Sequence, residues 1–131
     1  MIVADTDVLI DYLRGTAPAA ERIAIELERR LATTAVTAFE LWSGSIGSTR
    51  REQSVSDLLG ALQILPLSPA SAKTAGLIQG NLRSQGRTLA AADSLIAGIC
   101  VEHSAILLTR NRRHFEGIPR LSLGHLDVSS V

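Results

Sequence analysis

The stretch that decides the fold is MIVADTDVLIDYL, residues 1–13, in which a short apolar run meets two carboxylates. Residues 2–4 are hydrophobic on both faces, which is typical of a parallel strand covered by helices. The next apolar run predicts a helix over 8–14, with Asp7 as its N-cap. Asp5 is then left at the end of a buried strand, where a carboxylate needs either a capping role or a positive partner.

Short apolar segments alternate with amphipathic helical segments along the rest of the chain. We predict further strands at 31–36, 62–67, 105–109 and 121–123, with Pro66 confining the second of these to a sheet edge. We predict helices at about 16–30, 37–47, 50–62, 69–85 and 91–103. A capping box from Thr37 to Glu40 is expected to begin the 37–47 helix. This alternation predicts an α/β fold, with one domain over 1–131 and a mainly parallel four- to five-stranded sheet flanked by helices.

The composition is that of a globular protein, with 46% hydrophobic and 20% charged residues. No apolar run approaches the about 20 residues of a membrane span, and the N-terminus lacks the positive region of a signal peptide. A single cysteine, Cys100, excludes an internal disulfide and fits a reducing compartment, so we expect a cytoplasmic protein. Acids and bases balance at 13 each, but four arginines and one acid lie between Arg110 and Arg120. That segment is a local basic patch.

Four polar positions are candidates for a functional site: Asp5, Glu40, Asp93 and Asn111. Asp5 and Asn111 follow predicted strands, and sites in open parallel sheets lie beyond the carboxyl ends of the strands. Each position also has a structural explanation, as a helix cap, a first-turn acid or a turn residue. Asp93, however, shares a helical face with apolar residues that should point inward, and a carboxylate there needs a partner.

Three carboxylates and an amide at one sheet edge would form a cation site. Carboxylates that close cannot all ionise unpaired, so either their pKa values rise or a divalent cation neutralises them. Oxygen ligands favour Mg²⁺ or Mn²⁺, and no His pair or Cys cluster occurs at zinc spacing. Arg110, Arg112 and Arg113 would hold a phosphate backbone beside the cation. The first hypothesis is therefore metal-assisted hydrolysis of a phosphodiester bond.

Four motifs in order resemble those of PIN-domain ribonucleases, in particular the VapC-type toxins of toxin–antitoxin pairs. The motifs are MIVADTDVLIDYL, TAFELWSG, AADSLIAG and LLTRNRRHFEGIPRL, and they span nearly the whole chain. The resemblance implies that Asp5, Glu40 and Asp93 bind metal and support catalysis. Asn111 stands where the family often carries a fourth acid, and its amide oxygen would either ligate the metal or orient a metal-bound water.

The resemblance also implies an Mg²⁺- or Mn²⁺-dependent endoribonuclease that leaves 5′-phosphate and 3′-hydroxyl ends on RNA. Thr6, Asp7 and Thr109 would support the ligands, the two threonines through their hydroxyls. The implied partners are an RNA substrate and a cognate antitoxin of the VapB type. A toxin homodimer is expected to form a heterotetramer or a larger assembly with that antitoxin.

Two alternatives remain open at this point. The segment DTDVL resembles the D-x-D motif of haloacid-dehalogenase-like phosphatases, but Leu9 stands near the position of the required Thr and Lys73 is the only lysine. The other alternative is a non-catalytic protein-binding α/β module whose acids are all helix caps. Phe39, Leu41 and Trp42 lie together just after a strand, as interface residues often do, although a core position is the more frequent outcome for Trp42.

Overall fold

The computed structural model describes residues 1–128. Within that range the elements are β1 (Ile2–Ala4), α1 (Thr6–Arg14), α2 (Ala19–Arg29), β2 (Leu31–Thr34), α3 (Ala35–Ser45), α4 (Thr49–Gly60), β3 (Gln63–Leu65), α5 (Pro69–Ser84), α6 (Ala91–Glu102), β4 (Ile106–Leu108), α7 (Arg112–Phe115) and β5 (Ser122–Leu123). No helix among residues 1–128 is both long and apolar enough to cross a membrane.

The five strands form one sheet in the order β3-β2-β1-β4-β5, and every pairing is parallel. The predicted α/β fold with a mainly parallel sheet is therefore confirmed, as is the edge position of β3. The strand order reverses at β1, which pairs with β2 on one side and with β4 on the other. The crevice beyond the carboxyl ends of β1 and β4 is the topological switch point, where sheets of this kind bind ligands.

Helices cover both faces of the sheet, which explains why β1 and β4 are apolar throughout. One hydrophobic core lies under α1, α2 and α4 and includes Val8, Leu9, Ile23, Val55 and Leu58. A second core lies under α5, α6 and α7 and includes Ile78, Leu82, Ile96, Ile99 and Phe115. Leu41 of α3 packs into the first core and is only 4% exposed.

Two helices begin directly after their strands, and this corrects two predicted caps. The N-cap of α1 is Asp5, whose side chain accepts a hydrogen bond from the Thr6 amide at 2.8 Å, so the assignment of Asp7 as the cap is wrong. The N-cap of α3 is Thr34, whose hydroxyl accepts from the Thr37 amide at 3.1 Å. The strand predicted to reach residue 36 therefore ends at Thr34, and the predicted capping box is wrong as well. Glu40 lies inside α3 with no capping role.

Helices α5 and α6 approach each other closely at Gly98. A side-chain carbon at this position would lie 2.5 Å from the Ser71 carbonyl oxygen and 2.8 Å from the Ala75 side chain. Only glycine fits there, because real carbon atoms do not approach a carbonyl oxygen so closely. Further along the same contact, the Thr74 hydroxyl donates to the Glu102 carboxylate at 2.6 Å. The position of α6 relative to α5 is thereby fixed.

Candidate active site

Asp5 lies at the junction of β1 and α1, and its side chain is almost fully enclosed. It is 4% exposed, its Oδ1 accepts from the Thr6 amide, and its Oδ2 accepts from the Thr109 hydroxyl at 2.7 Å. Thr109 directly follows β4, so this hydrogen bond joins the ends of the two central strands. Burial, followed by the negative charge of Asp7, raises the pKa of Asp5 to about 7. A nearby positive charge would be needed to hold this carboxyl ionised.

Asp7 stands in the first turn of α1 and faces the segment after β4. Its Oδ2 accepts from the Arg110 amide at 3.1 Å, and the Arg110 Nε lies 3.8 Å from the same oxygen. Its Oδ1 is buried and has no hydrogen-bond partner. Burial raises the pKa of Asp7 as well. An unpartnered buried carboxylate oxygen costs free energy unless the group is protonated or meets a cation.

Glu40 projects from α3 toward the same end of the sheet. The Thr6 hydroxyl donates to Glu40 Oε1 at 2.6 Å, and the Thr6 hydroxyl oxygen also lies 3.0 Å from Thr37 Oγ1. Thr6 therefore orients Glu40, as Thr109 orients Asp5. Both hydroxyls therefore donate to acids of the candidate site, and their support of metal ligands stays a prediction.

Asp93 occupies the first turn of α6, and its side chain is 25% exposed, compared with 13% for that of Asp7. The His114 Nδ1 lies 3.8 Å from Asp93 Oδ2. Burial raises the pKa of Asp93, His114 opposes that rise, and the charges of Glu40 and Asp7 reinforce it. Because Asp93 in turn raises the pKa of Asp5, the structure brings Asp5, Glu40 and Asp93 into one electrostatically coupled cluster.

Asn111 lies at the rim of this cluster. Its backbone amide donates to the Thr109 hydroxyl oxygen at 3.0 Å, while its side chain is exposed and makes no cap hydrogen bond to α7. The Thr109 hydroxyl thus joins the backbone of Asn111 to the carboxylate of Asp5. The Asn111 amide is left available at the mouth of the crevice.

The three arginines predicted to bind RNA are in different situations. The Arg110 Nε lies 3.3 Å from Asp11 Oδ2 in addition to its contact with Asp7. Arg112 donates to the Gly124 carbonyl and so holds the segment after β5. Arg113 is exposed, and none of the described hydrogen bonds or ion pairs involves its guanidinium. Arg110 and Arg112 therefore make contacts within the fold.

Sequence reasoning missed His114 and Asp11. His114 follows four polar residues in the RNRRHF segment, and nothing in its spacing predicts a contact with Asp93, which lies more than twenty residues earlier. Asp11 is a buried acid on α1, one turn after Asp7, and the one available signal was this spacing.

The donor set fits a hard divalent cation, although no preformed cage exists. Among residues 1–128, no three His, Cys, Asp or Glu side chains form a group that could already hold a metal ion. Mg²⁺ requires only one or two carboxylates, because it keeps several of its waters. The acids supply oxygen ligands. The pKa values of Asp5, Asp7 and Asp93 are raised, and Asp7 Oδ1 has no hydrogen-bond partner. Burial raises the pKa of Cys100 to about 12, which removes a thiolate from the donor set.

Comparison with known proteins identifies the family. The sequence profile of the PIN domain matches residues 2–121. The chain is 32% identical over 116 residues to ribonuclease VapC10 of Mycobacterium tuberculosis, which covers 88% of this chain and 86% of VapC10. It is 29% identical to the tRNA(fMet)-specific endonuclease VapC of Shigella flexneri, over 87% of this chain and 89% of that protein.

Solved structures share the fold over nearly the whole chain. The DNA-bound VapBC of Salmonella typhimurium superposes with a TM-score of 0.84 at 23% identity, over 96% of this chain and 98% of the other. VapBC-1 of nontypeable Haemophilus influenzae gives a TM-score of 0.82 at 26% identity, with the same coverage.

The protein belongs to the PIN-domain family, among its VapC-type ribonucleases. The resemblance in the four sequence motifs is thereby confirmed. Membership in this family also removes the phosphatase alternative and the non-catalytic module.

Proposed function

We propose that this chain is the endoribonuclease toxin of a toxin–antitoxin pair and that it hydrolyses RNA at a divalent cation held by Asp5, Glu40 and Asp93. The observation that carries the proposal is Asp5, a carboxyl buried at the switch point whose pKa is raised to about 7 beside two further acids. A protein keeps so costly an arrangement where a positive charge completes it. Mg²⁺ or Mn²⁺ is the cation that suits oxygen donors.

In this proposal each polar side chain of the site has its own role. A bound cation would lower the pKa of a coordinated water and neutralise the charge that develops on the phosphate. Asp5 and Asp93 would hold it, with Asp5 oriented by Thr109 at 2.7 Å. Glu40, oriented by Thr6 at 2.6 Å, would hold the cation directly or through water and accept a proton from the attacking water. The Asn111 amide would bind at the open side.

The test is cleavage of a labelled RNA by the purified chain in Mg²⁺, in Mn²⁺ and in EDTA. We expect cleavage with either cation, none in EDTA, and products with 5′-phosphate ends that a ligase accepts directly. Asp57→Asn on the exposed face of α4 is the matched control and should cleave like the parent, because Asp57 contacts only Gln53. Equal cleavage in EDTA would reject the metal role, and products with 2′,3′-cyclic phosphate ends would reject attack by water.

We further propose that a VapB-type antitoxin covers an apolar groove on α3. Phe39 and Trp42 are 69% and 42% exposed, and Ile46 is 76% exposed. With Ser43, Ser45 and Glu52 they line a groove of about 490 Å³. Aromatic side chains grouped in this way are typical of protein interfaces. The solved relatives include VapBC complexes, which supports the choice of this partner. A toxin homodimer, in a heterotetramer or a larger assembly, is proposed for the cytoplasm, where RNA is accessible.

Trp42 is the only tryptophan of the chain, so its fluorescence reports directly on this groove. We expect the emission to shift to shorter wavelength when the antitoxin is added, because the indole leaves water. Phe39→Ala should weaken antitoxin binding, whereas Leu77→Ala, which removes an exposed leucine from α5, is the matched control. An unchanged emission spectrum in a complex that elutes as one species would reject this groove, and a monomer in sedimentation of the toxin alone would reject the homodimer.

A further inference from the structure

A second group of basic residues lies in the part of the chain that leads up to Asp93. The chain carries no acid between Asp57 and Asp93, and its charged residues in that interval are Lys73, Arg83 and Arg87. Arg83 lies near the end of α5, and Arg87 lies in the 85–90 loop that leads into α6. The two charged residues nearest to the start of α6 on this side are therefore both positive.

This loop is held in a defined position by α5. Gln79 Nε2 donates to the Leu89 carbonyl at 3.3 Å, and Arg83 donates to Gln79 Oε1 at 3.4 Å. A shallow depression of about 80 Å³ lies between them, lined by Gln79, Arg83, Arg87, Thr88 and Leu89. Pockets for whole small molecules enclose about 300–1,000 Å³, so this one suits a single anionic group of a larger ligand.

Helix α7 brings a further arginine to the same surface. A side-chain carbon at Gly117 would lie 3.3 Å from Arg87 Nη1, so the Arg87 guanidinium rests close to the turn after α7. The same short helix carries His114, which contacts Asp93 at 3.8 Å, and the exposed Arg113. Arg87 and Arg113 thus approach the vicinity of Asp93 from two different segments.

We propose that Arg83, Arg87 and Arg113 form a phosphate-binding track that carries the RNA strand past Asp93. The proposal rests on the proposed function and assigns the path of its substrate. Guanidinium groups suit this role because their forked N–H groups match phosphate oxygens. Arg110 and Arg112 are excluded from the track because they already contact Asp11 and Gly124. Glu116 is the one acid between Arg110 and Arg120, and it directly precedes Gly117.

The test is the salt dependence of RNA binding by the full chain. A short fluorescein-labelled single-stranded RNA of mixed sequence is titrated with the Asp5→Asn variant, which should not cleave it, and with the same variant carrying Arg83→Gln, Arg87→Gln, Arg113→Gln or all three. Each replacement should flatten the slope of log K against log salt by about 0.7, and the triple variant by about 2. Arg51→Gln on α4, across the sheet, is the control and should leave the slope unchanged.

Charge, rather than local packing, should carry the effect. Arg87→Lys is therefore expected to retain most of the slope that Arg87→Gln loses. In the cleaving parent, the three replacements should raise KM and leave kcat unchanged, because the track does not touch the reacting phosphate. A triple variant with the parental slope, or a slope lost equally in Arg51→Gln, would overturn the track.

The failure of this proposal can be distinguished from that of the proposed function. If the parent cleaves RNA with metal while the triple variant binds with the parental slope, the function stands and the track is wrong. If the parent cleaves no RNA but the triple variant loses its salt slope, the track stands as a nucleic-acid surface and the nuclease proposal is wrong.

Discussion

Asp5 and Asp93 belong to one cluster but are held in opposite ways. Asp5 is 4% exposed and receives hydrogen bonds from the Thr6 amide, at the start of α1, and from the Thr109 hydroxyl, directly after β4. Asp93 stands on the first turn of α6 with its side chain 25% exposed, and its one described contact is His114 at 3.8 Å. The Asp5 carboxyl is therefore held in one position, and its burial costs desolvation free energy. The Asp93 carboxyl is more exposed, so it can move and its desolvation costs less.

The difference indicates which group defines the site. Burial raises the pKa of Asp5 to about 7, so a bound cation would favour its ionised form near neutral pH. Under the proposed function, the more exposed Asp93 would complete the coordination after the cation has entered. Asp5 would then fix the position of the cation, and Asp93 would complete its ligand set.

The largest expected effect is the loss of cleavage in Asp5→Asn. Removing a single group that stabilises transition-state charge costs about 10²–10³-fold in kcat, and a fixed ligand should lie at the upper end of that range. Asp93→Asn should also lose cleavage but regain part of it at high Mn²⁺ concentration, because its neighbours can readjust. The measurement is single-turnover cleavage across a metal titration. Equal rescue of both variants by Mn²⁺ would remove the distinction between the two carboxyls.

The second effect is a fall in the stability of the metal-free protein as pH rises. Folding raises the pKa of Asp5 from 3.8 to about 7, so the folded state binds more protons than the unfolded state between these values. Its contribution to the free energy of unfolding therefore falls across that window, by at most about 4 kcal/mol for about three pKa units.

Urea denaturation in EDTA from about pH 4 to about pH 8 measures this fall. Asp5→Asn should abolish most of the slope, and Asp93→Asn should abolish less of it because Asp93 is more exposed. Adding Mn²⁺ above the window should recover stability in the parent alone. A parent whose stability is flat across this range would contradict the raised pKa of Asp5.

A smaller effect is expected from the hydroxyls that orient the acids. Thr109→Val removes the hydrogen bond to Asp5 Oδ2 while keeping the shape of the side chain, and groups that orient a metal ligand contribute about 10–100-fold to affinity or activity. Thr33→Val is the matched control: its buried hydroxyl donates to the Ala4 carbonyl, from β2 to β1, and this described hydrogen bond involves no acid. Comparable losses of activity in both variants, at equal stability, would assign Thr109 a purely structural role.

The smallest effect is expected at His114. His114→Gln removes a neighbour that lowers the pKa of Asp93, but the imidazole is 59% exposed, and exposed pairs contribute about 0–1 kcal/mol. We expect less than a tenfold change in kcat and a rise in the pKa of Asp93, measured by carboxyl NMR titration without metal. A loss as large as that of Asp93→Asn would make His114 part of the catalytic group.

The sequence predicted β1 and β4 well because these strands are largely buried between helices and consist of apolar residues alone. It misassigned both helix starts at the site. A Thr-x-x-Glu pattern and a second aspartate after a strand looked like caps, whereas Thr34 and Asp5, the polar residues next to the strand ends, fill that role. A capping pattern does not reveal where the strand before it ends, since that depends on pairing with distant neighbours.

The arginines illustrate a second limit. The run RNRR indicates positive charge, but it does not predict that Arg110 contacts Asp11 or that Arg112 donates a hydrogen bond to Gly124. These pairings depend on how the turn after β4 is oriented against α1 and β5. Conversely, the role proposed for Arg87 in RNA binding depends on its position close to the turn at Gly117, which the sequence does not show.

The close packing at Gly98 has a consequence for genetics. In a cell that carries this toxin without its antitoxin, survival selects for substitutions that disarm it. Most of these substitutions would replace the acids themselves. Substitutions at Gly98 form a second class, because any side chain there must push α6, and Asp93 with it, away from the Ser71 carbonyl. Survivors with Gly98→Ala should contain a folded, RNA-binding protein that no longer cuts. The toxin would then be inactivated by a substitution at the contact between α5 and α6, which does not touch the substrate.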